Sequence, residues 1–244
     1  MVQTVLLEGT QVQRKLLVKH LENKETLLSL LATKEGSTAA SKCLPYFQPN
    51  TVSAVVTVLM DNVGEYGSSS GASLFMEEFI SLYKGQSVVD LLVEEVMFNL
   101  QTLSFSEGGH GLVNSVITNQ TARLLRVAGW LVENIRQVLQ DQHSVSLLLA
   151  VVQQLLLTNR TRALDILVYR LLDTPGSGEE PLLVTVAQQQ TGHLVVKELA
   201  TQQARLSSCR GRLVETINTH RSALQRDFFG WMVVKGMGEK EKKE

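Results

Sequence analysis

Apolar residues recur every three or four positions along most of the chain, with short polar breaks between the apolar stretches. Residues 88–100 show this clearly, because their valine, leucine, methionine and phenylalanine side chains follow the period of an α-helix. The alternation of period two that marks β-strands is absent, and four prolines in 244 residues leave long stretches free of helix breakers. The pattern predicts an all-α fold with essentially no β-strand.

The polar breaks repeat at a nearly constant interval. Each leads into a second apolar stretch, and the anchor residues are Gly36, Gly71, Gly109, Ser144, Gly192 and Gly230. Their spacings are 35, 38, 35, 48 and 38 residues. The long interval contains residues 173–181, whose two prolines and two glycines predict an inserted surface loop. We expect the break glycines to end helices in the left-handed conformation, which glycine adopts without strain.

A helical sequence that repeats in this way predicts stacked helix pairs, because one pair cannot bury its apolar stripe alone. We predict a single right-handed α-solenoid of helix-pair repeats over residues 1–237, with a half-repeat and six repeats of about 36 residues each. The half-repeat at the start suggests a piece of a longer array or an atypical capping repeat. Residues 238–244 are predicted to be a disordered charged tail.

The charge is distributed unevenly, although its total is only −1. Residues 1–49 carry +2, residues 50–122 carry −7 and residues 123–244 carry +4. A polyanion should therefore avoid the middle of the chain or contact it through neutral groups. Cys43 and Cys209 are far apart, which predicts two buried thiols in a reducing compartment and no disulfide framework. Because no secretory signal or bilayer-length apolar run is found, we expect an intracellular protein without membrane contact.

The last two breaks share a motif. Gly-His-Leu-Val-Val-Lys occupies residues 192–197, and Gly-Trp-Met-Val-Val-Lys occupies residues 230–235. Both resemble the Pumilio (PUF) repeat, in which an apolar helix leads through a short break into Gly-x-x-Val-Val. The similarity covers nearly the whole chain by period and is specific over residues 181–237. It implies a solenoid that binds a single RNA strand, with two edge-reading side chains and one stacking side chain from the second helix of each repeat.

In that family the edge readers follow the glycine directly and again four residues later, with the stacking residue between them. The resemblance implies the RNA-binding candidates Thr10, Gln11, Arg14, Ser37, Ser41, His110, Asn114, His193, Lys197, Trp231 and Lys235. In two repeats the aligned readers form no side-chain hydrogen bond; they are Ala72, Met76, Val145 and Leu149. We therefore predict that structured RNA is held through its backbone and shape, without a base-by-base code.

Several candidates have a purely structural alternative. His110 and His193 could be polar residues at helix starts, and Trp231 could pack the terminal repeat together with neighbouring aromatic residues. Lys197 and Lys235 could serve solubility alone, as charges on solenoid helices often do. The sequence leaves both interpretations open for each of these residues.

The resemblance is nearest to the nucleolar branch of the family, the "nucleolar protein nine" type. It implies a ribosomal RNA precursor as partner, a role in ribosome biogenesis and rRNA processing, and a nucleolar or nuclear location, with the cytoplasm as the alternative. A second hypothesis is a protein-binding scaffold of HEAT or armadillo type without direct RNA contact, acting in a larger assembly. The acidic middle of the chain would suit a basic peptide.

No residue set indicates catalysis. The sequence shows no Ser/His/Asp set, no paired carboxylates in a recognisable context, and no cysteine or histidine pair with metal-ligand spacing. The glycine-rich residues 67–71 and 108–111 lack the strand and the Gly-Lys-Ser/Thr that a phosphate loop requires. We predict that the protein is not an enzyme and uses no metal, cofactor or small-molecule substrate.

Overall fold

The computed structural model describes residues 9–176 and 178–241. These residues form eighteen α-helices, the two 3-10 turns Leu44–Tyr46 and Gln203–Arg205, and no β-strand. The chain divides into two compact units, Met1–Asn119 and Gln120–Glu244. For the described residues, the prediction of an all-α fold is confirmed.

The helices of the first unit are α1 Gln11–His20, α2 Lys24–Leu31, α3 Lys34–Ser41, α4 Pro49–Met60, α5 Val63–Tyr66, α6 Ser70–Leu82, α7 Ser87–Phe98, α8 Leu100–Ser104 and α9 Gly109–Asn119. Those of the second unit are α10 Thr121–Glu133, α11 Ile135–Val138, α12 Gln142–Leu157, α13 Thr161–Leu172, α14 Leu182–Ala187, α15 Gly192–Thr201, α16 Arg210–Thr219, α17 Arg221–Arg226 and α18 Phe228–Glu241.

Both units have two layers of helices. In the first unit α3, α6 and α9 pack side by side in one layer, and α4 and α7 pack in the other. In the second unit α12, α15 and α18 form one layer, and α10, α13 and α16 form the other. In each unit we call the layer named first above the last-helix layer, because it contains the helix with which each repeat ends. We call the other layer the first-helix layer, because each repeat begins there.

In five of the described repeats a short helix connects the two layers, so these repeats have three helices where the sequence predicted two, whereas α2 and α3 form a repeat of two. These connecting helices are α5, α8, α11, α14 and α17, and they contain four to six residues. Their apolar residues continue the pattern of the preceding long helix. The boundary is set by how the chain folds back between layers, which the periodicity does not reveal.

Both units have apolar cores, and their composition differs. In the first unit Phe75 and Phe79 of α6 are fully buried, and Phe47 stacks on Tyr83 with 6.3 Å between ring centroids. The core of the second unit is mainly leucine and valine. Cys43 and Cys209 are both buried, as the sequence predicted, and burial raises the pKa of the Cys43 thiol to about 11.

The break glycines lie inside helices, so their predicted role as left-handed helix ends is wrong. Among the described glycines only Gly85 and Gly178 have a positive φ, 88° and 90°. At Gly230, in the first turn of α18, a side-chain carbon would lie 2.6 Å from the backbone oxygen of Leu224 in the connecting helix. Glycine is required there because two helices approach closely, and not because of its backbone conformation.

The helices show where the predicted loop at residues 173–181 and the predicted tail at residues 238–244 begin and end. Residues 173–176 and 178–181, within the predicted loop, connect α13 to α14 without helix. Helix α18 continues to Glu241, so residues 238–241 are helical, although the sequence assigned them to the disordered tail. Glutamate and lysine favour helix, and here they extend one that packing has already formed. Residues 1–8 of the half-repeat and 242–244 of the tail lie outside the described residues.

Candidate nucleic-acid interface

A hydrogen bond at the start of most last helices sets the register of the repeats. A side-chain oxygen accepts the backbone N–H of the third residue after it, which satisfies an amide that the first helical turn leaves free. The pairs are Thr33 with Gly36, Ser69 with Ala72, Ser106 with Gly109, Asp141 with Ser144, and Asp227 with Gly230. We call the residue that donates this N–H the break residue. Gly192 has the equivalent place. A side-chain carbon there would meet the backbone oxygen of Val186, six residues earlier, and the same relation holds at Gly36, Gly109 and Gly230.

This register differs from the sequence alignment by one residue in α6. The break residue there is Ala72, so the positions expected to face RNA hold Ser73, Leu74 and Glu77. The alignment had placed Ala72 and Met76 at the reading positions, and both are fully buried. The alignment followed the glycine, whereas the helix begins at one of three consecutive serines that the sequence does not distinguish.

The first repeat is also shifted. Thr10 is the N-cap of α1, where its hydroxyl accepts the N–H of Gln13 at 3.3 Å and its own N–H donates to the Gln13 side chain at 2.8 Å. By the capping register, Arg14 and Lys15 follow the break position. Thr10 and Gln11 are exposed and precede it. The guanidinium of Arg14 lies 5.7 Å from the centre of the Tyr46 ring.

The first position after the break residue points into the protein in four of the last helices. Its buried occupants are Ser37, Ser73, Val145 and His193. The hydroxyl of Ser37 donates to the backbone oxygen of Leu31 at 3.3 Å. The His193 ring stacks on Phe229 with 5.1 Å between centroids. The edge-reading role that the resemblance implies for Ser37 and His193 therefore falls on side chains turned away from solvent.

Three further candidates are half-buried in the last-helix layer of the first unit. Ser41 lies near the end of α3, and His110 and Asn114 lie on α9. Nδ1 of His110 is 3.2 Å from the backbone oxygen of Ser106, so that nitrogen faces its own helix. Their exposed surface is polar and carries no permanent positive charge.

The second unit brings the strongest candidates together. Trp231 is 43% exposed on α18, and the Lys235 ammonium lies 5.1 Å from the centre of its ring. Lys197 of α15 is exposed, and its side chain lies beside Gly236 of α18. A side-chain carbon added to Gly236 would be 3.7 Å from Cε of Lys197. Leu194, also on α15, is 40% exposed. We call Leu194, Lys197, Trp231 and Lys235 the basic-aromatic patch. All of these except Leu194 are candidates for direct RNA contact that the sequence predicts.

In the first unit the last-helix layer is of mixed charge. A groove of about 220 Å³ between α3 and α6 is lined by the ammonium-bearing Lys34 and Lys42, by hydroxyl groups, and by Glu78. Beside it, burial and the charge of Glu78 raise the pKa of Glu77 to about 7. At neutral pH Glu77 is thus only partly ionised, and this layer is less acidic than the formal charge of residues 50–122 implies.

Replacing Glu77 with glutamine should make the chain more stable above pH 7. The pKa of Glu77 is about 7 in the fold against an ordinary value of 4.5, so its contribution to stability is fully present below pH 4.5 and is lost as pH rises through 7. Allowing for partial exposure, we expect a gain of about 2 kcal/mol at alkaline pH and little change under acidic conditions. Urea unfolding across this pH range measures the effect. The exposed Glu65→Gln variant is the control, and a variant profile parallel to that of the wild type would contradict the prediction.

Neither a metal site nor a membrane span is found in the described part of the chain. No group of three or more histidine, cysteine or acidic side chains is placed to hold a metal ion among these residues. None of the described helices combines the length and the apolar character needed to cross a bilayer.

The fold and its capped last helices define a helical-repeat module, and the last-helix layer of each unit is a candidate ligand surface. Similar solved structures include the Puf4 RNA-binding domain bound to the HO endonuclease RNA 3′ UTR recognition sequence, with a TM-score of 0.75 and 14% identity over 96% of this chain and 69% of that chain. A double mutant of Puf4 bound to the Cox17 RNA 3′ UTR recognition sequence has a TM-score of 0.78 and 13% identity, and the match covers 99% of this chain and 72% of that chain. The Puf3 RNA-binding domain bound to a Cox17 RNA 3′ UTR site has a TM-score of 0.73 and 16% sequence identity, and the match covers 97% of this chain and 68% of that chain.

The chain therefore has the fold of the Pumilio (PUF) RNA-binding domains, which confirms the predicted all-α solenoid fold of stacked repeats. No family model matches the sequence, and no relative is found among curated proteins. The identities are low, so the likeness concerns the fold.

Proposed function

We propose that this chain binds RNA on the last-helix layer of its second unit, holding the backbone and stacking on bases without reading each base. The observation that carries the proposal is the basic-aromatic patch. An exposed indole with the Lys235 ammonium beside its ring, and Lys197 on the neighbouring helix, provide a surface on which a base can stack and to which neighbouring phosphates can bind. The structural neighbours carry RNA on the same fold, which supports the assignment.

A base-by-base code in every repeat does not fit the side chains of the last helices in either unit. Reading a base edge requires two hydrogen-bonding groups that reach solvent from one helix. In α15 His193 is buried and leaves Lys197 alone, and in α3 Ser37 is buried and leaves Ser41 alone. A single amine or hydroxyl cannot form the two hydrogen bonds that identify a base edge. The affinity for RNA should therefore depend on charge and stacking more than on the RNA sequence.

The double variant Lys197→Glu/Lys235→Glu should bind RNA much more weakly and with a smaller salt dependence. Each phosphate that the variant no longer binds reduces the steepness of log K against log salt by about 0.7 for single strands, so two such phosphates reduce it by about 1.4.

Replacing Trp231 with alanine should weaken the binding free energy for RNA by about 1 to 3 kcal/mol, because a base can no longer stack there. Fluorescence anisotropy with one single-stranded RNA of mixed sequence and one hairpin RNA measures both effects.

The control for charge is Lys84→Glu/Arg226→Glu, which changes the net charge equally at exposed residues outside the patch. It should retain most of the affinity. If the two double variants weaken binding equally, the patch has no special role. If the wild-type chain binds neither RNA at low salt, the proposal is wrong.

We also propose that the RNA is a ribosomal precursor and that the chain acts in ribosome biogenesis in the nucleolus. The final Gly-x-x-x-x-Lys copy, residues 230–235, followed by a charged sequence, supports this through its resemblance to the nucleolar branch of the family. Sequencing of RNA cross-linked to the tagged chain in cells tests the proposal. Enrichment of messenger RNA 3′ regions over pre-ribosomal RNA, or a strictly cytoplasmic location, would contradict it.

A second candidate function is protein binding by the last-helix layer of the first unit. Leu74 is 52% exposed there and lies on the same helix as Glu77 and Glu78, which would suit a basic peptide with an apolar residue. This candidate predicts a stoichiometric protein partner that survives nuclease treatment and no longer binds a Leu74→Asp variant. Release of the partner by nuclease would favour RNA as the direct ligand.

A further inference from the structure

A groove opens on the first-helix layer of the second unit, and none of its lining residues belongs to the helices that carry the basic-aromatic patch. It has a volume of about 400 Å³ and is lined by residues 159–163, by Leu125 of α10 and by Ile166 of α13. Leu125 is 46% exposed and Ile166 is 51% exposed, on helices that pack side by side. The floor of the groove is therefore aliphatic and accessible.

The rim of this groove is positively charged. Arg160 and Arg162 line it and are both exposed, and neither forms an ion pair with a residue that the structure describes. No acidic residue is among those lining it. The one carboxylate of α13, Asp165, is buried and accepts hydrogen bonds from residues 207–209. The side chain of Arg160 does not cap α13, and the first-turn residues 161–163 of this helix line the groove, so the positive end of the helix lies at its rim.

We propose that this groove binds an acidic, aliphatic peptide segment of a partner protein. An aliphatic side chain of the peptide fits between Leu125 and Ile166, where it removes apolar surface from water. Carboxylates on either side of it pair with the guanidinium groups of Arg160 and Arg162, which suit carboxylates because of their bidentate geometry. RNA fits less well, because the floor offers no ring on which a base could stack. This proposal does not depend on RNA binding by the last-helix layer.

The test uses the full chain labelled with ¹⁵N and a synthetic peptide, Glu-Asp-Leu-Glu-Asp-Ile-Glu. Saturable shift changes should appear at the amides of residues 159–163 and around Leu125 and Ile166. The Arg160→Glu/Arg162→Glu variant should lower the affinity at least about tenfold through charge repulsion. Ile166→Asp should lower it as well, because it places a charge on the floor. A peptide with lysine in place of its acidic residues should not bind.

Two controls separate the groove from general charge and exposure effects. Arg226→Glu removes a positive charge elsewhere in the second unit, and Leu157→Asp changes an apolar side chain that is 74% exposed and does not line the groove. Both should retain the wild-type affinity for the peptide. All variants lie at the surface, and circular dichroism checks their folding.

Several results would overturn the proposal. They are the absence of saturable binding, shift changes on the last-helix layer in place of the groove, and unchanged affinity in the double arginine variant. Loss of RNA affinity in Arg160→Glu/Arg162→Glu would assign the groove to RNA and equally refute a peptide site.

Discussion

Replacing Asp165 with alanine should lower the free energy of unfolding by about 3 kcal/mol or more. The carboxylate is buried on α13 and accepts the backbone N–H of Ser208 at 3.0 Å and its hydroxyl at 2.8 Å. It also accepts the N–H and the hydroxyl of Ser207 and, at 2.9 Å, the thiol of Cys209. Alanine leaves these donors without their acceptor, and the described segment before α16 keeps only the hydrogen bond from the Tyr169 hydroxyl to the Ser208 backbone oxygen as a polar contact with α13.

The same residue should give the chain a pH dependence in the acid range. Burial by itself would raise the pKa of Asp165, but hydrogen bonds from Cys209, Ser207 and Ser208 lower it to about 2. Because this pKa lies below its ordinary value, the stability that the carboxylate provides is present above about pH 4 and is lost as pH falls through 2. The difference amounts to about 2 kcal/mol. The variant should lack this part of the acid profile.

Urea unfolding followed by circular dichroism, from neutral pH to about pH 2, measures both effects of Asp165. The matched control is Asp173→Asn. That carboxylate is about half exposed, pairs with Arg170 at 3.0 Å, and should contribute less than about 1 kcal/mol. If Asp165→Ala costs no more than this control, the hydrogen bonds around Asp165 do not stabilise the fold.

The layered helical fold could be predicted because helical periodicity and the spacing of the breaks are local properties of the sequence. The register of α6 could not, since Ser68, Ser69 and Ser70 are all suitable N-caps and only the packing of the helix selects one. An alignment anchored on Gly71 therefore places the reading positions of α6 one residue too early. The short connecting helices were missed for a related reason, because their apolar residues continue the preceding pattern.

The candidate site was predictable where side chains project from the surface of a helix regardless of its neighbours. Lys197, Trp231 and Lys235 are of this kind. His193 is buried because Phe229, 36 residues later, stacks on it, and no local signal announces that contact. The groove between α10 and α13 was missed as well. Leu125 and Ile166 look like isolated exposed residues in the sequence, and they form a floor only when the two helices pack together.

Replacing Gly192 with alanine should destabilise the chain by about 3 kcal/mol, because an added carbon has no room. It would overlap the backbone oxygen of Val186 and lie 2.9 Å from a methyl carbon of the same residue. Ser144 occupies the equivalent place in α12, where its hydroxyl donates to the backbone oxygen of Val138 at 3.2 Å. Ala72 occupies it in α6, so the position tolerates a side chain in at least two repeats, and the close approach of α14 and α15 excludes it in another.

Gly129→Ala provides the control, because a side-chain carbon at this position in α10 would meet no atom within 4 Å. Alanine favours helix over glycine, so this variant should be more stable than the wild type by about 0.5 to 1 kcal/mol. Opposite signs for the same substitution would separate the steric effect from helix propensity. Equal unfolding free energies for Gly192→Ala and the wild type would mean that α14 and α15 can move apart without cost. In that case close approach would not be the reason for glycine at this break.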